Sequence, residues 1–89
     1  MDNIPQHPGI ELRQIISGLK ISPAQFAKEV DVSASRINQI VNGKRSITVD
    51  TAIRLGRVLT RSAQYWLQRQ MEFDLFTAQH TDNRGKFYE

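Results

Sequence analysis

The sequence predicts an all-α fold class, with five short helices in one small domain. Its apolar residues recur every three or four positions, as on one side of a helix, and no segment alternates like a half-buried strand. Each predicted helix begins at a proline or at a hydroxyl residue that can cap it. The 89 residues allow one domain with a thin core, so self-association is expected to add stability.

The first three helices are predicted from their starts and stops. The first begins at Pro8 and ends or frays at Gly18. Ser22 caps a brief second helix, and Ser33 caps a third that stops at Gly43, where glycine can adopt the left-handed conformation. The residues expected to face inward are Leu12, Ile15, Ile16 and Leu19, then Phe26, Ala27 and Val30, then Ile37, Ile40 and Val41.

Two more helix starts follow in the second half of the chain. Thr48, with Asp50 in the first turn, caps the fourth helix, and Ser62 caps a fifth over residues 63–79. The expected inward residues are Ala52, Leu55, Val58 and Leu59, then Trp66, Leu67, Met71 and Leu75. The predicted domain therefore spans residues 1–79, and the polar residues 80–89 are expected to form a flexible tail.

The second and third helices, joined at residues 31–33, have the geometry of a helix-turn-helix over residues 22–43, whose second helix enters the DNA major groove. The outward face of that second helix is rich in amide and hydroxyl groups, which suit base edges. The predicted base contacts are Ser35, Arg36, Asn38 and Gln39, and the predicted phosphate contacts are Ser22, Asn42, Lys44 and Arg45. A polar solvent face and a solubilising loop are the alternatives for these two groups.

The charge distribution also favours a polyanionic partner. The formal net charge is +3, but residues 20–45 alone sum to +3 and residues 46–61 add +2, whereas each end of the chain sums to −1. A positive field in the middle of the chain suits double-stranded DNA. The alternative is the solvated basic surface of a small protein.

The fifth helix carries more apolar residues than one small core can easily bury. Tyr65, Phe73 and Phe76 lie to the side of its inward stripe, and a second copy of the chain is the expected cover for them. Such a homodimer would place two recognition helices about 34 Å apart and read a palindromic operator. Alternatively, these aromatic rings complete the monomer core.

The chain has few candidate residues for catalysis or for metal binding. The chain has no cysteine, and His7 and His80 are expected to be separate surface residues, so no catalytic residue, metal ligand or cofactor is predicted. No basic leader precedes an apolar run, and no run approaches the ~20 apolar residues of a membrane span. The sequence therefore predicts a cytoplasmic protein without enzyme activity and without membrane contact.

Two resemblances follow from these segments. Residues 23–44 resemble the helix-turn-helix of phage-repressor-like regulators, which usually have glycine in the turn where this chain has Asp31. An ordered set of segments resembles the HigA-type antitoxins, and it comprises His7-Pro8-Gly9, residues 36–45, residues 48–52, residues 65–68 and residues 73–75. The resemblance implies a bacterial antitoxin that binds DNA, dimerises, represses its own operon and neutralises a HigB-type toxin that cleaves messenger RNA.

The resemblance also implies that the toxin binds a surface distinct from Ser35 and Gln39, because the family represses as a complex with its toxin. Two alternative functions remain open at this point. A stand-alone helix-turn-helix repressor shares the same fold and has no toxin partner. A helical protein-interaction module would use its last helix and would bind its partner with little dependence on salt, whereas DNA binding weakens steeply as salt is added.

Overall fold

Five helices follow one another along the chain in the computed structural model, which describes residues 4–81. They are α1 (Pro8–Leu19), α2 (Pro23–Val30), α3 (Ala34–Val41), α4 (Val49–Val58) and α5 (Ala63–Thr81). No strand occurs between residues 4 and 81, so the predicted all-α, five-helix class is confirmed. None of these helices is long and apolar enough to cross a membrane.

The helix starts are formed by the hydroxyl residues that the sequence indicated. The side-chain oxygens of Ser22, Ser33 and Ser62 each accept a hydrogen bond from the backbone N–H three residues later, over 3.0–3.1 Å. Thr48 makes the corresponding contact over 3.4 Å. Each bond satisfies a backbone N–H that has no partner within its helix, which is why the chain turns into a helix at these four positions.

Two helices end at a residue other than glycine in the left-handed conformation. α1 continues through Gly18 and ends at Leu19, because Lys20 adopts the left-handed conformation at φ 63° and its N–H reaches the Ser17 carbonyl. Asp31 ends α2 in the same conformation, at φ 59°. Asp31 thus takes the role of the glycine usual in this turn, as an aspartate can because its short polar side chain tolerates that region better than most.

The core lies where α1, α4 and α5 pack around the helix-turn-helix formed by α2 and α3. Its fully buried side chains include Leu12, Phe26, Ile37, Leu55 and Trp66. In α1 and α4, two residues predicted to face inward do not, since Leu19 and Val58 are about half exposed. Both lie in the last turn of a helix, where the chain leaves the core.

The register of α5 also differs from the prediction. Trp66 is fully buried and Gln70 is 5% exposed, whereas Met71 and Leu75 are 47% and 51% exposed. At about 100° per residue, Leu75 lies on the opposite side of the helix from Trp66, so the four predicted residues do not form one inward stripe. α5 also extends to Thr81, two residues into the predicted tail, and the His80 ring contacts the Phe76 carbonyl oxygen in this last turn. Residues 82–89 of that tail lie outside the described part of the chain.

Candidate nucleic-acid interface

The polar face of α3 is held outward by the apolar anchors of the same helix. Ile37 and Ile40 are fully buried on the inner side. Ser35 and Asn38 are exposed on the outer side, and Arg36 and Gln39 are partly exposed. The four residues predicted to contact bases therefore share one accessible helix face.

Gln39 is paired with a residue from the loop that follows α3. The Arg45 guanidinium donates from Nε to the Gln39 side-chain oxygen Oε1 over 2.7 Å. The sequence assigned these two side chains to different tasks, base and phosphate contact, and their direct contact was not predicted. The neighbouring Lys44 is exposed, and its backbone N–H donates to the Gln39 carbonyl over 2.8 Å.

The loop between α3 and α4 is fixed at both ends. Gly43 adopts the left-handed conformation at φ 73°, and its N–H donates to the Ile40 carbonyl over 2.9 Å. Further along, the backbone N–H of Ile47 donates to the buried Gln70 side chain of α5 over 2.8 Å. Sequence reasoning missed Gln70, because α5 has four glutamines and nothing in the sequence distinguishes the one that is buried. These contacts set the position of Lys44 and Arg45 relative to α3.

A cation from α1 joins the interface beside Asn42. The Arg13 guanidinium donates from Nη2 to the Asn42 side-chain oxygen over 2.5 Å. Both side chains lie at the C-terminal end of α3 and are exposed. No local pattern in the sequence marks Arg13, which lies 29 positions before its partner.

An ion-pair network lies at the other end of α3. Arg36 lies 3.7 Å from Asp50 of α4, and Asp50 is bound again by Arg54 over 3.1 Å. Arg54 also reaches the Asp31 carboxylate over 2.8 Å and the Asp31 carbonyl over 3.0 Å. The hydrogen bonds to Asp50 and Asp31 raise the pKa of Arg54 above its ordinary value. The network ties α4 to the turn of the helix-turn-helix, although exposed pairs of this kind contribute little stability.

The Ser22 hydroxyl already caps α2 by accepting from Gln25 N, but its side chain stays exposed beside the first turn of that helix. It lies at the positive end of the α2 dipole.

No group of three or more His, Asp or Glu residues that could hold a metal ion occurs between residues 4 and 81.

His7 is buried, which corrects the expectation of a surface histidine. It is 7% exposed, and its Nδ1 accepts a hydrogen bond from Gly9 N over 2.9 Å, so the ring caps α1. The ring also packs edge-on against Phe73 of α5, with centroids 5.2 Å apart, and is hydrogen-bonded to the Arg45 backbone. His7 thus joins α1, α5 and the loop that carries Arg45.

We expect protonation of His7 to destabilise the fold. Burial lowers the pKa of His7 below its ordinary value of 6.5, against the smaller opposing effects of the Arg45 backbone and the Asp74 charge. The unfolded chain therefore takes up a proton at a higher pH than the folded chain. The free energy of unfolding should be highest above the unfolded pKa and should fall as the pH drops through the folded pKa.

Urea denaturation at about pH 7.5 and about pH 5.5 measures this effect. The control is His7→Asn, because asparagine can cap a helix but does not titrate. The wild type should lose more stability than this variant between the two pH values. Equal losses in both proteins would contradict the assignment of the effect to His7.

Comparison with known proteins connects this geometry to a family. The helix-turn-helix family model matches residues 11–66, which include all of α2, α3 and α4. Virulence-associated protein I of Dichelobacter nodosus is 45% identical over 74 residues, which cover 82% of this chain and 68% of that protein. Virulence-associated protein A' of the same organism is 36% identical over 72 residues, and the chain spans only 63% of its length.

A solved structure is similar over almost the whole chain. It is the Pseudomonas aeruginosa antitoxin HigA with the higBA promoter, and it is 42% identical to this chain. The match covers 96% of this chain and 94% of that one, with a TM-score of 0.86. The resemblance that the sequence segments indicated is therefore confirmed by a structure that superposes from α1 to α5.

Proposed function

Because the chain belongs to the helix-turn-helix family, we propose that it is a DNA-binding antitoxin that represses its own operon from the bacterial cytoplasm. The family is not one of enzymes, in agreement with the sequence prediction. The observation that carries the proposal is the exposed polar face of α3, flanked by cations, in a chain similar over 96% of its length to an antitoxin solved with promoter DNA.

The residues of this interface divide by chemistry. Ser35, Arg36, Asn38 and Gln39 face outward from α3 and carry the donors and acceptors that can read base edges in the major groove. The groups proposed to bind phosphates are Ser22, Asn42, Lys44 and Arg45, together with Arg13 beside Asn42. Phosphate contacts supply affinity for any sequence, and base contacts supply the preference for one.

Lys44→Ala tests the proposed phosphate contact. Affinity should fall by a similar factor for the operator and for unrelated DNA, and the salt dependence of log K should become shallower by about one. Fluorescence anisotropy with both duplexes between about 50 mM and 200 mM salt measures both quantities.

The control is Arg57→Ala, which removes one positive charge from the exposed side of α4, about two turns beyond Asp50. It should leave the salt slope close to that of the wild type. A wild type that binds no duplex in a salt-dependent way would count against DNA binding altogether.

We also propose that two copies of the chain bind one palindromic operator, joined through α5. Met71 and Leu75 form an outer stripe of this helix and are each about half exposed. Phe76 is partly exposed beside it and continues the apolar surface that a second copy would cover. Phe73 is also partly exposed and is proposed for the same interface, although it lies on the Trp66 side of α5 and packs against His7 of its own chain. Tyr65 is proposed for the same interface, although its hydroxyl donates to the Glu11 carboxylate of its own chain over 2.7 Å.

We propose that the chain neutralises a HigB-type toxin. The toxin would bind a surface of the chain away from Ser35 and Gln39. That separation would let one complex hold toxin and DNA together. The test is co-purification of the chain with the product of the neighbouring reading frame, followed by operator binding of the complex. A complex that binds no operator at any ratio of the two proteins would overturn the separation, and a chain without a toxin-like neighbour would be a stand-alone repressor.

A further inference from the structure

Arg45 orients the side chain that the interface presents at Gln39. A glutamine amide has an oxygen that accepts and an NH2 group that donates, whereas an arginine only donates. The contact of Arg45 Nε with Gln39 Oε1 over 2.7 Å therefore defines which end of the amide faces the arginine. The amide nitrogen of Gln39 must point away from Arg45, and this orientation exists before any ligand arrives.

The arginine is itself held in place by the rest of the fold. His7 is hydrogen-bonded to the Arg45 backbone, and the Lys44 N–H, one residue earlier, donates to the Gln39 carbonyl. Two residues later, the Ile47 N–H is bound by Gln70. These contacts hold the backbone around Arg45, and from it the exposed side chain reaches Gln39.

A fixed amide distinguishes the two purines better than a rotating one. Its NH2 group can donate to N7 of either purine, while the second lone pair of Oε1 can accept from N6–H of adenine. Guanine presents the acceptor O6 at that position, opposite the amide oxygen, and the pairing is repulsive. A glutamine free to rotate by 180° could donate to guanine instead and would discriminate less.

Resting on the proposed DNA-binding function, we infer that Arg45 is a positioning residue for Gln39 and determines a preference for adenine over guanine in the operator. Arg45 then acts on sequence preference, and not on phosphate affinity alone. Its neighbour Lys44, which makes no side-chain contact with Gln39 among the hydrogen bonds of the structure, has no such role.

The experiment measures binding of the wild type and four variants to operator duplexes in which each base pair is varied in turn. The variants are Gln39→Ala, Arg45→Ala, the double variant and the neighbouring control Lys44→Ala. Gln39→Ala identifies the base pair that Gln39 reads, as the position where preference is lost. At that base pair, Arg45→Ala should lower the preference for adenine over guanine about tenfold.

The pattern across variants separates a positioning role from a purely electrostatic one. The double variant should show the same preference as Gln39→Ala, because Arg45 acts on the preference only through Gln39. Lys44→Ala should keep the wild-type preference while binding every duplex more weakly. Because Arg45 is exposed, its variant should melt like the wild type.

Two results would overturn the inference while leaving the proposed function intact. One is Arg45→Ala with the wild-type preference at every position. The other is a Gln39→Ala variant that loses preference nowhere. A wild type that shows no sequence preference would instead overturn sequence-specific DNA binding itself, and with it the role of Arg45.

Discussion

Gly9→Ala is expected to destabilise the fold by about 2–3 kcal/mol, a large share of the stability of a domain of this size. A Cβ atom at Gly9 would lie 1.8 Å from the Ile40 carbonyl oxygen and 2.8 Å from its carbon. Both are backbone atoms of α3, so no side chain can move aside to make room. α1 must shift away from α3, and the His7 cap, 3.0 Å from the same Cβ, must shift with it.

Gly18→Ala is the matched control, because both glycines belong to α1. A Cβ at Gly18 would meet nothing within 4 Å. Since alanine is favoured over glycine inside a helix, this variant should be more stable than the wild type by about 0.5–1 kcal/mol. Urea denaturation of the three proteins measures both effects. A Gly9→Ala variant as stable as the wild type would show that the approach of α1 to α3 is looser than the structure indicates.

The sequence was sufficient for the fold because its local signals agree with its packing. The hydroxyl caps and the apolar spacing select the same helices, and residues such as Leu12 and Ile37 are fully buried as their positions predict. The close approach of one helix to another was not predictable in the same way. Gly9 carries no mark in the sequence of its contact with Ile40, since those two residues are 31 positions apart.

The fifth helix shows where periodicity alone is ambiguous. Its apolar residues surround the helix more evenly than those of the other four, so more than one inward stripe can be drawn through them. The polar contact of Gln70 with the Ile47 backbone selects the register, and a buried polar residue is what an apolar pattern cannot foresee. The consequence is that Met71 and Leu75 face outward.

The sequence predicted which face of α3 forms the interface, but it did not predict which side chains contact one another there. The polar positions of α3 follow from the positions of its apolar anchors at about 100° per residue. The contacts of Arg13 with Asn42 and of Arg45 with Gln39 depend on how α1 and the loop after α3 pack, which local sequence does not encode. The same holds for His7, whose burial arises from its contacts with α5 and with the loop.

Leu75→Glu is expected to convert the proposed dimer into a monomer and to weaken operator binding by about 100-fold or more. Leu75 lies on the outer stripe of α5, half exposed and opposite Trp66, so the charge should not disturb the core of a single chain. In a dimer joined by this stripe, the carboxylate would be buried without a partner, which is costly. Without the second copy, each recognition helix binds alone, and the gain from linking two sites is lost.

Sedimentation velocity and operator binding of the same preparations measure the two effects together. Thr60→Glu adds an equal charge to the exposed connection between α4 and α5, outside the outer stripe of α5, and should leave the dimer intact. Phe76→Asp provides a second variant at the edge of the same surface, where the aromatic ring is partly exposed. If folded Leu75→Glu and Phe76→Asp proteins both remain dimers with wild-type operator affinity, the two copies meet through another surface, and the apolar stripe of α5 is left for a different partner.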